Sequence, residues 1–151
     1  VLLYTLHNAV SAIAAYPAGH AADRRGKRPV LLAGYGLGVL TNVLLAVTSR
    51  GVLALTAVVF LSGVYIAVEE TVEKAAVADL LPRELRSLGF GVLACANALG
   101  DMASSLYVGF LLDAGRGALA FALAALFGTL GVLWLLVVAR PASEMAPHAP
   151  S

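Results

Sequence analysis

The chain has 151 residues, of which 60% are hydrophobic and only 13% charged, with a formal net charge of +1. Soluble domains usually carry about 45–50% apolar and about 25% charged residues, so this balance is wrong for a water-soluble fold. It excludes a disordered chain, a nucleic-acid-binding domain with a basic face and, with a single cysteine, a disulfide scaffold.

Crossing a hydrocarbon core of about 30 Å takes about 20 helical residues. Charge-free stretches of that length occur at 1–22, 29–49, 51–68 and 117–139, and a fifth, 87–112, is broken only by Asp101. The chain therefore reads as an all-α integral membrane protein of five transmembrane helices, at about 1–18, 29–48, 52–79, 87–112 and 117–139. The runs are too long and continuous for the alternating pattern of an outer-membrane barrel. The first run lacks a basic leader and a starting Met, so it does not read as a signal peptide. Opening at Val1 in mid-helix is expected of a piece of a longer protein. Residues 1–140 form one transmembrane domain, and 141–151, with three prolines among small and polar residues, is expected to be a disordered tail.

The first span carries His7, Asn8 and Ser11. His7 and Asn8 lie about 18 Å from Gly19 by helical rise, near the midplane. A membrane histidine beside a carboxylate can relay protons, and a hydrogen bond that joins two helices is an equal alternative. After this span, Arg24, Arg25, Lys27 and Arg28 form a basic loop over 19–28. Arg83 and Arg86 mark the loop around 80–86, and Arg140 follows the last span. These seven face only Arg50 and Arg116 in the opposite loops, a bias that places loops 19–28 and 80–86 and the C-terminus in the cytoplasm. The second and fifth spans hold nothing more polar than Thr41, Asn42 and Thr129.

The third span is different, with Glu69, Glu70, Glu73 and Lys74. Glu69 and Glu73 are like charges one turn apart that repel if desolvated together, whereas Glu70 and Lys74 can pair at i, i+4. The set reads either as a salt-bridged helix end or as gate and proton-coupling carboxylates. Pro82 is expected to end this helix. In the fourth span Asn97, Asp101 and Ser104 or Ser105 share one face. Asp101 lies about 22 Å beyond Arg86, near the midplane, where a carboxylate must face a cavity, find a partner or be protonated. That face is expected to line a substrate cavity, with Asp101 taking a cation or proton or, alternatively, joining helices through a hydrogen bond. Cys95 is expected to pack among small residues, and Tyr16 and Trp134 to sit at the interface or in packing.

The first loop reads Gly19-His20-Ala21-Ala22-Asp23-Arg24-Arg25-Gly26-Lys27-Arg28. It resembles the signature loop of the major facilitator superfamily, G-x-x-x-D-R-x-G-[RK]-[RK], at every fixed position. Gly19 allows close helix approach, Gly26 a tight turn at positive φ, and Asp23 can dock on the positive end of a helix. The segment from Ala78 to Gly91, containing Asp79, Pro82, Arg83 and Arg86, is similar to the family's loop between helices ten and eleven. The resemblance implies a twelve-helix carrier in two halves, of which this chain supplies helices eight to twelve and a missing N-terminal half is the partner. It implies secondary active transport of a small solute by alternating access. The substrate is not specified, and protons are candidate coupling ions. Asp23, Arg24, Lys27 and Arg28 would act as a cytoplasmic gate. Helices nine and twelve would face lipid while eight, ten and eleven approach the cavity. The membrane implied is a bacterial inner membrane; no cofactor is expected.

Two other readings compete. A small helical scaffold acting by association needs no substrate. An intramembrane enzyme is weaker: Glu70-x-x-Glu73 has no following His for a di-iron site, and neither H-E-x-x-H nor G-x-S-x-G occurs.

Overall fold

The computed structural model describes residues 2–47 and 51–138. The expected tail over 141–151, Arg50 and Arg140 lie outside the described residues. The fold is all-helical: α1 Leu2–Arg25, α2 Lys27–Val47, α3 Val52–Leu80, α4 Arg86–Asp113 and α5 Gly117–Val138, with a short 3-10 turn at Arg83–Leu85. Helices are what lipid demands, because each backbone donor and acceptor must be satisfied without water. By length and composition α2, α3 and α5 are apolar enough to cross a membrane. The helices α1 and α4, at 24 and 28 residues, are as long but more polar.

The helix ends follow local chemistry. The first helix runs through the expected loop to Arg25, well past the boundary read from sequence at residue 18. Arg24 and Arg25 in its last turn suit the negative end of the helix dipole. Only Gly26, at φ +86°, breaks the chain direction before α2. Pro82 ends α3 as expected. Leu81 before it is extended (φ −119°, ψ 141°), as the ring of a following proline requires. The α4–α5 connection closes on Gly115 at φ +71°. There the Gly115 N–H donates to Leu112 O at 2.9 Å and the Arg116 N–H to Leu111 O at 2.7 Å, a Schellman arrangement.

Packing centres on α3, which lies along both α1 and α2, while α5 lies along α2. Small residues set the spacing. At Gly63 a Cβ would stand 2.9 Å from the His7 carbonyl oxygen and from Val10 Cβ, so α1 and α3 meet backbone to backbone. Gly34 and Gly38 accept Val68 and Tyr65 of α3 in the same way. Val72 is fully enclosed and packs with Ala22 and Leu31, joining α1, α2 and α3. The exception is α4, which has no buried residue and packs lightly, mainly on α3 and α5. Large apolar side chains such as Phe110, Trp134 and Val137 are exposed around the bundle, an outer surface suited to lipid.

Candidate functional site

Two groups of polar side chains stand out, one at the α1–α2 turn and one between α2, α3 and α4. At the turn, Lys27 Nζ pairs with the Asp79 carboxylate at the end of α3, the one ion pair among the described residues. The Nη2 of Arg28 donates to Leu136 O near the end of α5 at 2.8 Å, while its Nε is buried without a partner among the described residues. Consecutive basic residues in the first turn of α2 thus bind α3 and α5. Gly19 lies on the α3 side, where a Cβ would touch Thr71 at 3.4 Å. Asp23 and Arg24 are exposed and without partners among the described residues. Arg86 serves its own loop: its Nε donates to Leu81 O at 3.3 Å.

The second group grows from the third helix. Glu69 and Glu73 lie one turn apart and half-buried, whereas Glu70 and Lys74 are exposed and do not form the ion pair that their spacing allows. Glu73 is held from two sides. The Tyr35 hydroxyl of α2 donates to its Oε1, and Asn97 Nδ2 of α4 donates to its Oε2 at 3.0 Å. Tyr65 stands one turn before Glu69 on α3. Asp101 stands opposite, one turn beyond Asn97. A cavity of about 260 Å³ opens among Glu69, Glu73, Asn97, Asp101, Ile66 and Phe90. Glu70 and Lys74 also line it, so four carboxylates face one ammonium.

The structure therefore brings together five of the residues singled out from sequence, Glu69, Glu70, Glu73, Asn97 and Asp101. It leaves His7 and Asn8 elsewhere. His7 Nδ1 meets Ser62 Oγ at 2.8 Å, joining α1 to α3, and Ser62 lies seven residues, about 10 Å by helical rise, before Glu69. Asn8 Nδ2 donates to the Tyr4 carbonyl of its own helix at 2.9 Å. Ser104 faces a second, larger cavity of about 580 Å³ with Asn42, Tyr65 and Tyr107. Cys95, expected in packing, is exposed, because α4 buries nothing against its neighbours. Among the described residues no group of three or more His, Cys, Asp or Glu is placed to hold a metal ion.

Sequence reasoning missed Tyr35, Tyr65 and the partner role of Asp79. Tyr35 had a signal: it lies on the face set by Leu31, Gly34, Gly38 and Thr41, the buried stripe of α2. A hydroxyl on that stripe needs a partner, and a carboxylate of α3 supplies it.

The sequence model of the Major Facilitator Superfamily matches residues 2–151. The chain belongs to the major facilitator superfamily. No curated protein and no solved structure matches it. Members of the superfamily are membrane transporters rather than enzymes, so this is an integral membrane chain and the polar cluster lies within a transporter of the major facilitator kind. The turn that resembles the superfamily's signature loop has the positive φ expected at Gly26.

Proposed function

We propose that this chain is the C-terminal half, helices eight to twelve, of a secondary carrier that moves a small solute by alternating access. In this reading the carboxylates between α3 and α4 bind a proton or a cationic group during the cycle. The observation that carries the reading is the cavity in which Glu69, Glu70, Glu73 and Asp101 face Lys74 alone, with Asn97 as a neutral donor. An excess of carboxylates in a membrane cavity is costly unless a cation compensates it. Asp101 and Asn97 are exposed on α4, the helix with the least packing, which is the face a second six-helix half would cover. In this reading His7 and Asn8 belong to the same pathway, although they lie outside this cavity, with His7 tied to Ser62 about 10 Å along α3 from Glu69. At the other end, Asp23, Arg24, Lys27, Arg28 and Arg86 form the cytoplasmic gate, with Gly19 and Gly26 shaping it. Asp23 is free to meet a helix end of the other half. The excess of Lys and Arg on that side supports a cytoplasmic position for the loops 19–28 and 80–86 and for the C-terminus. A bacterial inner membrane is the setting that the resemblance of the loop implies.

The test is uptake by the full-length protein in proteoliposomes with an imposed pH gradient, screened over organic cations and neutral solutes. Gradient-driven uptake that is lost in Asp101→Asn at equal expression supports the reading. Uptake with the same rate and pH dependence in that variant overturns it.

A further inference from the structure

The helix expected to face lipid reaches the carboxylate cluster. Tyr35 extends from the buried stripe of α2 to Glu73 Oε1, and Asn97 reaches Oε2 of the same carboxylate from α4 at 3.0 Å. A carboxylate has two oxygens, and here each is taken by a donor from a different helix. Asp101 lines the same cavity with no donor to its carboxylate oxygens among the described residues; its backbone carbonyl accepts from Ser104 Oγ at 2.9 Å. Of the four carboxylates that line the cavity, Glu73 on α3 is fixed through both oxygens, whereas Asp101, the one that α4 contributes, is open.

We propose that Tyr35 is a positioning residue of this site: with Asn97 it fixes Glu73 in one orientation, while Asp101, the one carboxylate that α4 brings to the cavity, stays open to the cation. The inference deepens the carrier reading and rests on it for the word cation. Its geometric content, the division of roles between Glu73 and Asp101, stands separately. It also explains why α2 carries a tyrosine on a stripe otherwise built of Leu, Gly and Thr. Other charged groups around Glu73 are Glu69, Glu70 and Lys74 on its own helix and Asp101 on α4; α2 offers Tyr35 alone.

The test uses dicyclohexylcarbodiimide, an apolar reagent attacked by a carboxyl oxygen, on the full-length protein in phosphatidylcholine vesicles. Modification is counted residue by residue by mass spectrometry, and the readout is the ratio of Glu73 to Asp101 labelling. In the unaltered protein Asp101 is modified in preference to Glu73. Tyr35→Phe keeps the ring and deletes only the hydroxyl, and Asn97→Leu removes the second donor at an exposed position. Either variant raises the ratio roughly tenfold, the factor equivalent to about 1.4 kcal/mol and of the order of one hydrogen bond to a charged acceptor. A general loosening of the fold would raise labelling of all the carboxylates together and leave the ratio unmoved. Glu73 labelled as readily as Asp101 in the unaltered protein overturns the proposal. So does an unchanged ratio in either variant when circular dichroism shows it folded. No substrate is needed, so transport that ignores Asp101 would defeat the carrier reading while leaving this ratio as it is.

Discussion

Replacing Gly63 by Ala tests the closest contact in the bundle. The new Cβ would stand 2.9 Å from His7 O and from Val10 Cβ, and 3.0 Å from Val10 Cγ1. Carbon contacts rest at about 3.5–4.0 Å, so α1 and α3 must separate by roughly 0.6–1 Å. Neither obstacle is the far end of a flexible side chain; one is backbone and the other a β-branched residue held on its helix. Overpacking of this kind costs about 1–3 kcal/mol. Ala in place of Gly returns up to about 1 kcal/mol of helix propensity. Gly36 isolates that second contribution, since a Cβ there meets nothing within 4 Å. Gly36→Ala should therefore be neutral or slightly stabilising, and Gly63→Ala should lie about 1–3 kcal/mol below it. The same separation would stretch the neighbouring His7–Ser62 bond from 2.8 Å towards the limit of hydrogen bonding. The assay is reversible unfolding in mixed detergent micelles followed by circular dichroism, with both variants in parallel. Equal stabilities within about 0.5 kcal/mol would refute the claim that backbone proximity at Gly63 sets the α1–α3 spacing.

Three further outcomes follow from other contacts. Gly26→Ala forces a Cβ into φ +86° and should cost about 1–2 kcal/mol, with Gly26→Asn milder; thermal melting of the two variants checks the order. The Lys27–Asp79 pair is mostly solvent-facing on its Asp79 side, so a double-mutant cycle of Lys27→Met and Asp79→Asn should return a coupling of about 1 kcal/mol or less. That coupling should shrink further in high salt. Arg28→Ala removes the donor to Leu136 O, and hydrogen exchange should then accelerate over the last turn of α5 while α3 is unchanged.

Some of this was legible because composition and spacing act locally. The excess of apolar residues and the charge-free runs point to lipid, and a chain in lipid must be helical, so the five helices could be placed from sequence. Pro82 and Gly26 act through their own backbone torsions, and both turns fell where those residues stand. The end of α1 was misplaced for a related reason: a charged stretch reads as loop, although Arg24 and Arg25 are good helix formers at the end where the dipole favours them. Within the polar cluster, Glu69, Glu73, Asn97 and Asp101 could be named because charged or amide groups inside long apolar runs are conspicuous.

What the linear pattern could not decide is which groups meet. The i, i+4 spacing of Glu70 and Lys74 allows an ion pair, yet both side chains stay apart and exposed. Glu73 instead finds Tyr35, 38 residues away, and Asn97, 24 residues away. His7 finds Ser62 rather than a carboxylate. Such pairings depend on how three helices are rotated and spaced, and that is set by Gly34, Gly38 and Gly63 as they fit against the side chains and backbone of neighbouring helices. Sequence alone determined the solvent, the secondary structure and the unusual polar residues, because each of these depends on a residue and its near neighbours. Only the tertiary structure decided that one carboxylate is bound on both oxygens while another in the same cavity is open, because that depends on groups the chain brings together from three separate helices.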